Sequence, residues 1–484
     1  DIGVTGVQTC ALPIYFLNQE RTLFEVPMIA NKNGEVVSTT NPFPVTGTVG
    51  ILSETIVTIN PDTTSVDAFG RQRIAEPFTL GDYKHIYGLN VDFTDSLSGS
   101  GSTVTFQTNK ACARIATGIG STAYAVHQTK AYHHYQPGKS QLIFSSFNFF
   151  APQQYVTKRT GYFDDRNGIF LEQVGLSTSD GVNAGIGTYN WVIRSYTSGI
   201  ATEITIPQSQ WNVDKCDGTG VSGFNIDFTK TQLSFIDFQW LGVGRVRCGF
   251  AHDGQLLVAH EFLHSNKLDK VYISNPNLPV RCEVRNTGVG IGGSMDQICS
   301  TVASEGGYSE SGIDFSRSMV TTRSTPTPAG TEFPLMALRL KNLFNGSPNR
   351  ISTRLNNLSI YAETNSISFR IVKLAGNQNI GLTTLGQGTI WTSAGDNSGV
   401  EYCINATVYD DGDEFASGFV PSGASQNSLS PVTLGNITSA KKNVIRQNID
   451  STNSEIYAII VRTISNVGNA QANVAASIQW REIY

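Results

Sequence analysis

Apolar and polar residues alternate most clearly over residues 232–264, and this alternation predicts three consecutive β-strands. In the middle strand, Arg245 and Arg247 occupy one face. The opposite face is apolar and carries Val246, Cys248 and Phe250. The first strand is less regular, because its apolar positions change parity, and we expect a β-bulge near Phe235. These three strands predict the centre of an antiparallel sandwich.

The turn between the second and third of these strands sets their predicted register. His252-Asp253-Gly254 fits a three-residue loop in which Gly254 adopts the left-handed conformation. The cross-strand pairs that follow are Phe250–Leu256, Cys248–Val258 and Arg245–Glu261. One face of the hairpin is therefore expected to be apolar, and the other to carry an ion pair.

Turn signals predict further hairpins before this region. Gln136-Pro-Gly-Lys139 has proline and glycine at the second and third turn positions, and we expect it to join a strand at 124–135 to a partner strand at 141–150. Asn167-Gly168 predicts the turn of a hairpin over 161–170. With the segments that follow, we expect about a dozen strands before residue 316.

The predicted fold is all-β, with two antiparallel, jelly-roll-like sandwiches and an extended N-terminal arm. The arm covers 15–68, where short strand-like pieces at 35–37 and 51–59 are broken by prolines. The first sandwich covers 69–315 and the second 333–484. Between them, the Ser/Thr/Pro-rich segment 316–332 is expected to be a linker.

The first fourteen residues are excluded from the fold prediction. The segment from Val4 to Ile14 matches the conceptual translation of a sequencing adapter, and neither an initiator methionine nor a basic leader precedes it. We therefore expect 1–14 to be a scar of metagenomic assembly, and the natural protein to be truncated before Tyr15.

Composition narrows the class of protein. Only 15% of the 484 residues are charged and 47 are glycine, which favours short strands joined by turns over a helical bundle. The net charge of -5 provides no basic surface for nucleic acid, and no run of about 18 apolar residues predicts a membrane span. Six cysteines remain beyond Cys10, without a Cys-x-x-Cys pair, which fits assembly in a reducing cytoplasm but leaves disulfides open.

His260-Glu261-Phe-Leu-His264 matches the His-Glu-x-x-His motif of zinc metalloproteases. That chemistry needs a helix, which brings both imidazoles to one face beside the glutamate. In the predicted strand, Glu261 points away from His260 and His264, and the motif is expected to be coincidental.

Two glycine-rich motifs lack the neighbouring structure that nucleotide or phosphate binding requires. Gly288-Val-Gly-Ile-Gly-Gly293 matches a dinucleotide-binding pattern, but no alternation of strands and helices surrounds it. Gly138-Lys139-Ser140 resembles the end of a phosphate-binding loop, but His133 occupies the position of the required upstream glycine. Glycine-rich turns are the simpler interpretation of both.

Several acidic residues are candidate metal ligands or catalytic groups. Around Gly412, four carboxylates could gather calcium but lack the spacing of a helix–loop–helix site, and these are Asp410, Asp411, Asp413 and Glu414. Asn212–Asp217 lacks the required glycine, and Asp164 and Asp165 are expected in a turn. The sequence therefore predicts no catalytic, cofactor-binding or metal-binding residue, although Ser-His-Asp triads are not excluded by spacing alone.

Aromatic residues at predicted hairpin ends could stack on sugar rings. They are Tyr132, His133, His134, Tyr135, Tyr162 and Trp211. The alternative is that they fill the core and rim of a large sandwich.

Long motifs between Phe69 and Gly307 resemble virion structural proteins of marine tailed bacteriophages, particularly those that infect cyanobacteria. The matching stretches are Phe69–His85, Tyr132–Ser140, Lys158–Asp165, Gln210–Gly218, Phe238–Phe250 and Ser274–Cys282. The resemblance covers about half of the chain and implies a particle component without catalytic residues. Residues 232–264 also look similar to legume-lectin-like sandwiches, which is an analogy of fold alone.

The expected function is a non-enzymatic structural component of a tailed-phage virion, in the tail, fibre, baseplate or head surface. It would be assembled in the bacterial cytoplasm, with other virion proteins and further copies of itself as partners. The alternative is a module on the virion that binds a host glycan. A polysaccharide depolymerase carried by the virion is the third hypothesis.

Overall fold

The computed structural model describes residues 14–17, 23–26, 76–175, 187–289, 291–309, 311–375, 380–381, 390–422, 432–433 and 444–484. The chain forms two compact units, Asp1–Pro61 and Asp62–Tyr484. In the first unit, β1 (Ile14–Leu17) pairs antiparallel with β2 (Leu23–Val26). The rest of the predicted scar and arm, with the strands expected at 35–37 and 51–59, lies outside the described residues.

Fifteen strands and two short 3₁₀ helices follow between residues 78 and 305. The strands are β3 (Phe78–Lys84), β4 (Phe93–Ser98), β5 (Thr103–Gln107), β6 (Cys112–Ala116), β7 (Tyr124–Thr129), β8 (Ser140–Asn148), β9 (Val156–Phe163), β10 (Gly168–Gly175), β11 (Gly187–Ser195), β12 (Thr202–Pro207), β13 (Gln232–Phe238), β14 (Val246–His252), β15 (Gln255–Phe262), β16 (Val280–Asn286) and β17 (Ser294–Glu305). The 3₁₀ helices are Thr108–Lys110 and Gln208–Gln210.

These strands form the first sandwich. One sheet has seven strands in the order β12-β11-β10-β9-β16-β7-β4, and the other has the order β15-β14-β13-β8-β17-β6-β5, with β3 also on β17. Alternating apolar residues of both sheets meet in one core, which includes Tyr162, Trp191, Phe238 and Phe250. The period of two in the sequence therefore gives each sheet one face that is buried in the core.

The remaining strands form the second sandwich. They are β18 (Ile313–Ser318), β19 (Arg323–Ser324), β20 (Phe333–Leu340), β21 (Leu343–Phe344), β22 (Ser347–Pro348), β23 (Ser352–Ala362), β24 (Ile367–Leu374), β25 (Ile380–Gly381), β26 (Thr392–Ser393), β27 (Val400–Cys403), β28 (Val408–Tyr409), β29 (Asp413–Val420), β30 (Val432–Thr433), β31 (Val444–Ile445), β32 (Ile456–Thr463) and β33 (Asn473–Ile483).

Two six-stranded sheets enclose the second core. One contains β18-β33-β23-β30, with β19 and β31 paired to it, and the other has the order β26-β27-β20-β32-β24-β29. Strand β33 buries every second residue from Val474 to Glu482, with Trp480 fully buried. The predicted fold class, all-β with antiparallel sandwiches, is confirmed, since every ladder of the described strands is antiparallel.

The predicted linker over 316–332 is corrected at its start. Strand β18 pairs with β33 from Ile313 to Ser318, and β19 also pairs with β33. The hydroxyl-rich sequence around Ser316 and Ser318 suits a partly exposed edge strand as well as it suits a linker. The second sandwich thus begins at Ile313, before the expected boundary.

The central hairpin differs from its predicted register. Asp253 and Gly254 both have positive φ, so they form a two-residue turn of the kind that matches strand twist, and Phe250 pairs with Leu257. A bulge between Cys248 and Gly249 on this ladder then brings Cys248 opposite His260. The bulge expected near Phe235 is wrong, because β13 pairs without a shift on both sides.

The predicted hairpin over 124–150 is also wrong. The turn itself forms, with a hydrogen bond from Lys139 N to Gln136 O of 3.1 Å and a positive φ at Gly138. The strands that flank it belong to different sheets, however, because β7 pairs with β4 and β16, whereas β8 pairs with β13 and β17. The turn therefore carries the chain across the core.

Polar contacts join the two sandwiches within the larger unit. Lys130 Nζ lies 3.3 Å from Glu455 Oε1, and Arg446 makes an ion pair with Asp92. The Arg446 side chain is buried, so removal of the Asp92 carboxylate alone would leave an unmatched buried charge at this junction. No helix in the described part of the chain has the length and apolarity that a membrane span requires.

One core-facing position of the first sandwich carries a lysine. Lys158 lies on β9 with the parity of the core residues Val156 and Tyr162, and its side chain is completely buried. Its ammonium group donates hydrogen bonds to the carbonyl oxygens of Phe149 and Ala151. Burial without an anionic partner lowers the pKa of Lys158 to about 7.

Because the pKa of Lys158 is lower in the folded chain, the unfolded chain binds more protons between about pH 7 and 10. The contribution of Lys158 to the free energy of unfolding should therefore rise with pH across this window and stay constant below it. Urea denaturation measures the free energy of unfolding of the natural chain and of Lys158→Met. The value for the natural chain minus that for the variant should rise by up to about 1.4 kcal/mol per pH unit above pH 7.

The exposed Lys230→Met variant provides the control, and its difference from the natural chain should not change with pH in this range. If the difference in the free energy of unfolding between the natural chain and Lys158→Met is constant from pH 6 to 9, the lowered pKa of Lys158 is contradicted.

Candidate functional site

The zinc-protease motif lies on a strand, as predicted. His260 and Glu261 belong to β15, and His264 follows its end. His260 Nδ1 accepts a hydrogen bond from Asn212 N at 3.3 Å, whereas His264 Nδ1 lies 2.7 Å from Gly244 O. Glu261 faces Arg245, with 3.5 Å between Oε1 and Nη1. The two imidazoles and the carboxylate thus have separate partners.

The glycine motifs lie in connections between strands. Residues 288–293 link β16 to β17, and a strand rather than a helix follows, so the phosphate-binding helix terminus of a dinucleotide site is missing there. Position 290 lies outside the described residues. Gly138 and Lys139 belong to the turn before β8, and Ser140 is the first residue of that strand.

The acidic clusters are engaged by neighbouring groups. Near Gly412, Asp411 lies 3.1 Å and Glu414 3.9 Å from the Arg370 guanidinium, so both turn towards a cation on β24. In the 212–217 loop, the Asp214 carboxylate accepts the backbone N–H groups of Cys216 and Ser222. In the described part of the chain, no three His, Cys, Asp or Glu side chains are grouped to hold a metal ion.

The proposed sugar-stacking aromatics are mostly core residues. Five of the six are buried, namely Tyr132, His133, Tyr135, Tyr162 and Trp211. His134 is half-buried and meets the Tyr308 ring edge-on. The hypothesis that these residues form an exposed stacking surface is wrong, because five of the six rings are packed in the interior.

The face of the seven-stranded sheet opposite the core carries a row of charges that runs across four strands. Asn190, Glu172, Arg159 and Glu283 are successive cross-strand neighbours on β11, β10, β9 and β16. Arg159 Nε donates to Glu172 at 2.6 Å and Arg159 Nη1 donates to Glu283 at 2.9 Å. Asn190 completes the row with a 3.1 Å hydrogen bond to Glu172. We call these four residues the charged row.

Glu283 is the centre of this network and is completely buried. Arg281 donates to its Oε2 at 2.7 Å and Arg285 donates to its Oε1 at 3.0 Å, in addition to Arg159. Burial alone would raise the pKa of the Glu283 carboxyl, but the three guanidinium groups outweigh burial and hold this pKa well below its usual range. Glu283 is therefore an anion and has no proton to give as a general acid.

Phenylalanine rings support the arginines of this face. The Arg159 guanidinium lies 5.3 Å from the Phe170 ring, and Arg281 lies 5.4 Å from the Phe163 ring. Arg194 contacts both rings and bonds to Glu203 at 2.8 Å. Stacking fixes each guanidinium plane, so the carboxylates meet preoriented donors.

The network continues into a cleft of about 540 Å³ where the first sandwich meets the second. Arg281 Nη2 lies 2.8 Å from Asp165 Oδ1, and Asp165 belongs to the 164–167 loop between β9 and β10. We call this space the inter-sandwich cleft. Its lining comprises Asp164, Asp165, Arg166, Asn167, Tyr196, Ser274, Asn275, Ser347, Pro348, Arg350, Ile449 and Asp450.

Local hydrogen bonds shape the first-sandwich side of the cleft. Asp164 Oδ1 accepts the backbone N–H groups of Arg166 and Asn167 at 2.8 Å, which closes the loop. Asn167 Oδ1 in turn accepts from Tyr196 N and from both the backbone and the hydroxyl of Ser274. The loop is therefore tied to two neighbouring segments before any ligand binds.

Two arginines face the cleft from opposite sandwiches. Arg166 stacks on the Tyr196 ring, with 4.7 Å between the guanidinium carbon and the ring centroid. Arg350 stacks on Tyr132 at 4.4 Å and donates to the carbonyl oxygens of Asn448 and Ile449. Planar cations, amides and hydroxyls thus line one space of a size that is common for small-molecule sites.

Sequence reasoning missed this site for an identifiable reason. The hairpin predicted over 161–170 forms, with a 164–167 loop in place of the expected Asn167-Gly168 turn. Residues 347–350 and 449–450 of the second sandwich complete the cleft, however, and no local pattern indicates that they lie beside it. Parity along β16 did carry a signal, because Arg281, Glu283 and Arg285 alternate with apolar residues. That alternation predicts a charged outer face but not its partners.

No protein-family model matches the sequence, and no curated protein matches it. Solved structures show low similarity. A GH16 protein of the Bacteroides ovatus mixed linkage glucan PUL, in complex with a G4G4G3G product, shares 9% identity with a TM-score of 0.31, over 45% of this chain and 98% of that one. The Bauhinia forficata lectin in complex with GalNAc shares 9% identity with a TM-score of 0.28, over 47% and 98%.

A third similar structure is a GH43 glycoside hydrolase engineered to display both endo-xylanase and exo-arabinofuranosidase activity. It shares 10% identity with a TM-score of 0.30, over 57% of this chain and 48% of that one. This chain therefore spans about half the length of that hydrolase.

Removing the charge of Glu283 should destabilise the fold, because Glu283→Gln leaves three arginines around a neutral amide. We expect a loss of about 3–5 kcal/mol in the free energy of unfolding at pH 7. Since the pKa of Glu283 is depressed by folding, this stabilisation should be lost as pH falls below about 4, the unfolded value. Urea denaturation at pH 7 and pH 3 measures both effects.

Glu203→Gln is the matched control on the same face, because Glu203 is about one-third exposed and its pair with Arg194 should contribute at most about 1 kcal/mol. Equal losses for the two variants would contradict the central role of Glu283.

Proposed function

We propose that the chain is a non-enzymatic glycan-binding protein whose ligand occupies the inter-sandwich cleft. The observation that carries the proposal is the lining of this cleft, which combines a tyrosine-backed arginine, amides and hydroxyls in one preformed space. A saccharide presents hydroxyls that both donate and accept hydrogen bonds, together with apolar C–H faces. Asn275, Ser274 and Asp165 match the former, and the Tyr196 ring matches the latter.

Binding without hydrolysis is supported by the state of the nearby carboxylates. Glycoside hydrolysis needs a pair of carboxyl groups, of which one retains a proton. Glu172 and Glu283 both bond to Arg159, and Asp165 bonds to Arg281. Asp164 accepts two backbone N–H groups. Three guanidinium groups hold Glu283 in its charged form, and the other acids already accept hydrogen bonds from arginines or backbone N–H groups, so the cleft suits recognition better than proton transfer.

The binding prediction is tested with Tyr196→Ala, which removes the ring that supports Arg166. We expect the affinity for a host surface polysaccharide to fall by about tenfold, since an aromatic contact contributes on the order of 1 kcal/mol and its loss also frees the arginine. Immobilised polysaccharide and surface plasmon resonance provide the measurement, and an assay of new reducing ends should show no hydrolysis.

Tyr361→Ala, at an exposed tyrosine on the second sandwich, should leave the affinity unchanged. Undiminished binding by a folded Tyr196→Ala variant would place the glycan elsewhere, and steady release of reducing ends would favour the depolymerase hypothesis.

A second candidate function is a structural component of a tailed-phage particle, and the two functions are compatible. The sequence resemblance over Phe69–Gly307 is nearly coextensive with strands β3 to β17, which run from Phe78 to Glu305. It therefore covers one complete sandwich rather than scattered segments. The second sandwich would then be joined to a shared particle unit, and further copies and other virion proteins would be its partners.

Purified particles test this second candidate directly. We expect antibodies against the chain to label finished particles at a fixed copy number, because a structural part occupies symmetry-related positions. Quantitative mass spectrometry of density-purified particles measures that number. Labelling that is confined to the cytoplasm of infected cells would contradict a structural role.

A further inference from the structure

Arg166 and Arg350 differ from the other arginines around the cleft in their partners. Arg159, Arg194, Arg281 and Arg285 each bond to at least one carboxylate. In the described part of the chain, neither Arg166 nor Arg350 lies within ion-pair distance of a carboxylate, and both are half-buried. Their positive charges are therefore not neutralised by the fold.

Each of these two cations is nonetheless held in place. The Tyr196 ring orients the Arg166 plane, and the Tyr132 ring orients the Arg350 plane. Arg350 is fixed further by two backbone carbonyl oxygens, which accept hydrogen bonds without cancelling its charge. A guanidinium has five N–H donors, so donors remain for a ligand in both cases. A ligand anion would meet them with little further loss of side-chain entropy.

In the described part of the chain, the acidic residues that line the cleft do not form ion pairs with Arg166 or Arg350. Asp164 is occupied by two backbone N–H groups of its own turn, and Asp165 is bonded to Arg281 and lies 3.8 Å from Arg285. Hydrogen bonds from backbone N–H groups do not cancel the charge of a carboxylate, so Asp164 and the exposed Asp450 both weaken the attraction of the cleft for anions, although water screens an exposed charge.

We propose that the inter-sandwich cleft selects saccharides that carry a carboxylate, as uronic acids do, and that Arg166 and Arg350 recognise this group. This inference rests on the proposed glycan-binding function and names its ligand class. A carboxylate accepts two parallel N–H bonds from one guanidinium, an arrangement that a neutral hydroxymethyl group cannot reproduce. Partial burial of both arginines strengthens the pair relative to one in open solvent.

The test compares two matched polymers, a uronic acid homopolymer and the same polymer with its carboxyl groups reduced to primary alcohols. The full chain should bind the acidic polymer at least about tenfold more tightly, and this preference should shrink as salt rises from 50 to 500 mM. Arg166→Gln and Arg350→Gln should each lower the affinity for the acidic polymer by about tenfold and leave that for the reduced polymer nearly unchanged.

Asp450→Asn provides a change of opposite sign. It removes the exposed carboxylate at the rim, so the affinity for the acidic polymer should rise by about two- to threefold while the fold is retained. Arg350 also contacts the second-sandwich backbone, and circular dichroism with thermal melting identifies a variant that fails to fold. If Arg350→Gln fails to fold, Arg166→Gln, a substitution in a loop, tests the recognition of the carboxylate.

The outcomes separate this inference from the function on which it rests. Equal binding of both polymers, or binding only of neutral glycans on an array, would overturn selection of carboxylates and retain glycan binding. An absence of binding to either polymer and to every glycan on the array would overturn both. A preference for the acidic polymer that persists in both arginine variants would assign recognition to another site.

Discussion

The buried carboxylate of Glu283 connects the sheet of the first sandwich to its cleft. Three guanidinium groups surround it, and two of them bond to further acids, Glu172 through Arg159 and Asp165 through Arg281. An isolated anion at such a position would cost several kcal/mol, so these arginines are a condition for the sheet face to exist. Their geometry then fixes Asp165, and with it the loop that forms one wall of the cleft.

The pairing around Glu283 explains how the outer face of the sheet is connected to the cleft. Strand pairing places Glu172, Arg159 and Glu283 in one row without any long-range information, because directly opposed residues share a face. The 164–167 loop leaves the sheet at the end of β9. Its Asp164 side chain accepts from the loop's own backbone, and its Asn167 side chain accepts from the backbone of Tyr196. Among the described residues, the Arg166 guanidinium has no hydrogen-bond or ion-pair partner and contacts the Tyr196 ring instead.

The second sandwich contributes what the first cannot supply alone. Arg350 extends from its own sandwich to stack on Tyr132 of the first, close to the ion pair between Lys130 and Glu455. Tyr132 is buried and therefore acts as a platform for an arginine rather than for a sugar ring. The cleft is thus a property of the junction, and a separated first sandwich would lack one of its two unpaired cations.

Sequence patterns predicted the all-β class and the strands with strict alternation, because burial of one sheet face depends on local parity alone. The patterns gave wrong predictions where the pairing of strands distant in sequence determined the structure. The 136–139 turn has hairpin chemistry, yet its flanking strands join different sheets, since β8 finds better partners in β13 and β17. Similarly, one residue of turn length shifted the pairing of Phe250 from Leu256 to Leu257, and the bulge between Cys248 and Gly249 added a second residue of offset.

Low overall charge makes local pairing decisive for ligand choice in this chain. With 15% charged residues and a net charge of -5, no strong long-range field attracts anions to the surface. An anionic ligand must therefore be retained by contacts within a few ångströms, where a half-buried guanidinium is screened less than an exposed one. On the outer face of the seven-stranded sheet, the arginines form ion pairs with carboxylates and are therefore less able to attract such a ligand. In the described part of the chain, Arg166 and Arg350 have no carboxylate within ion-pair distance, and both lie in this cleft, one from each sandwich, where an anionic ligand could meet them together.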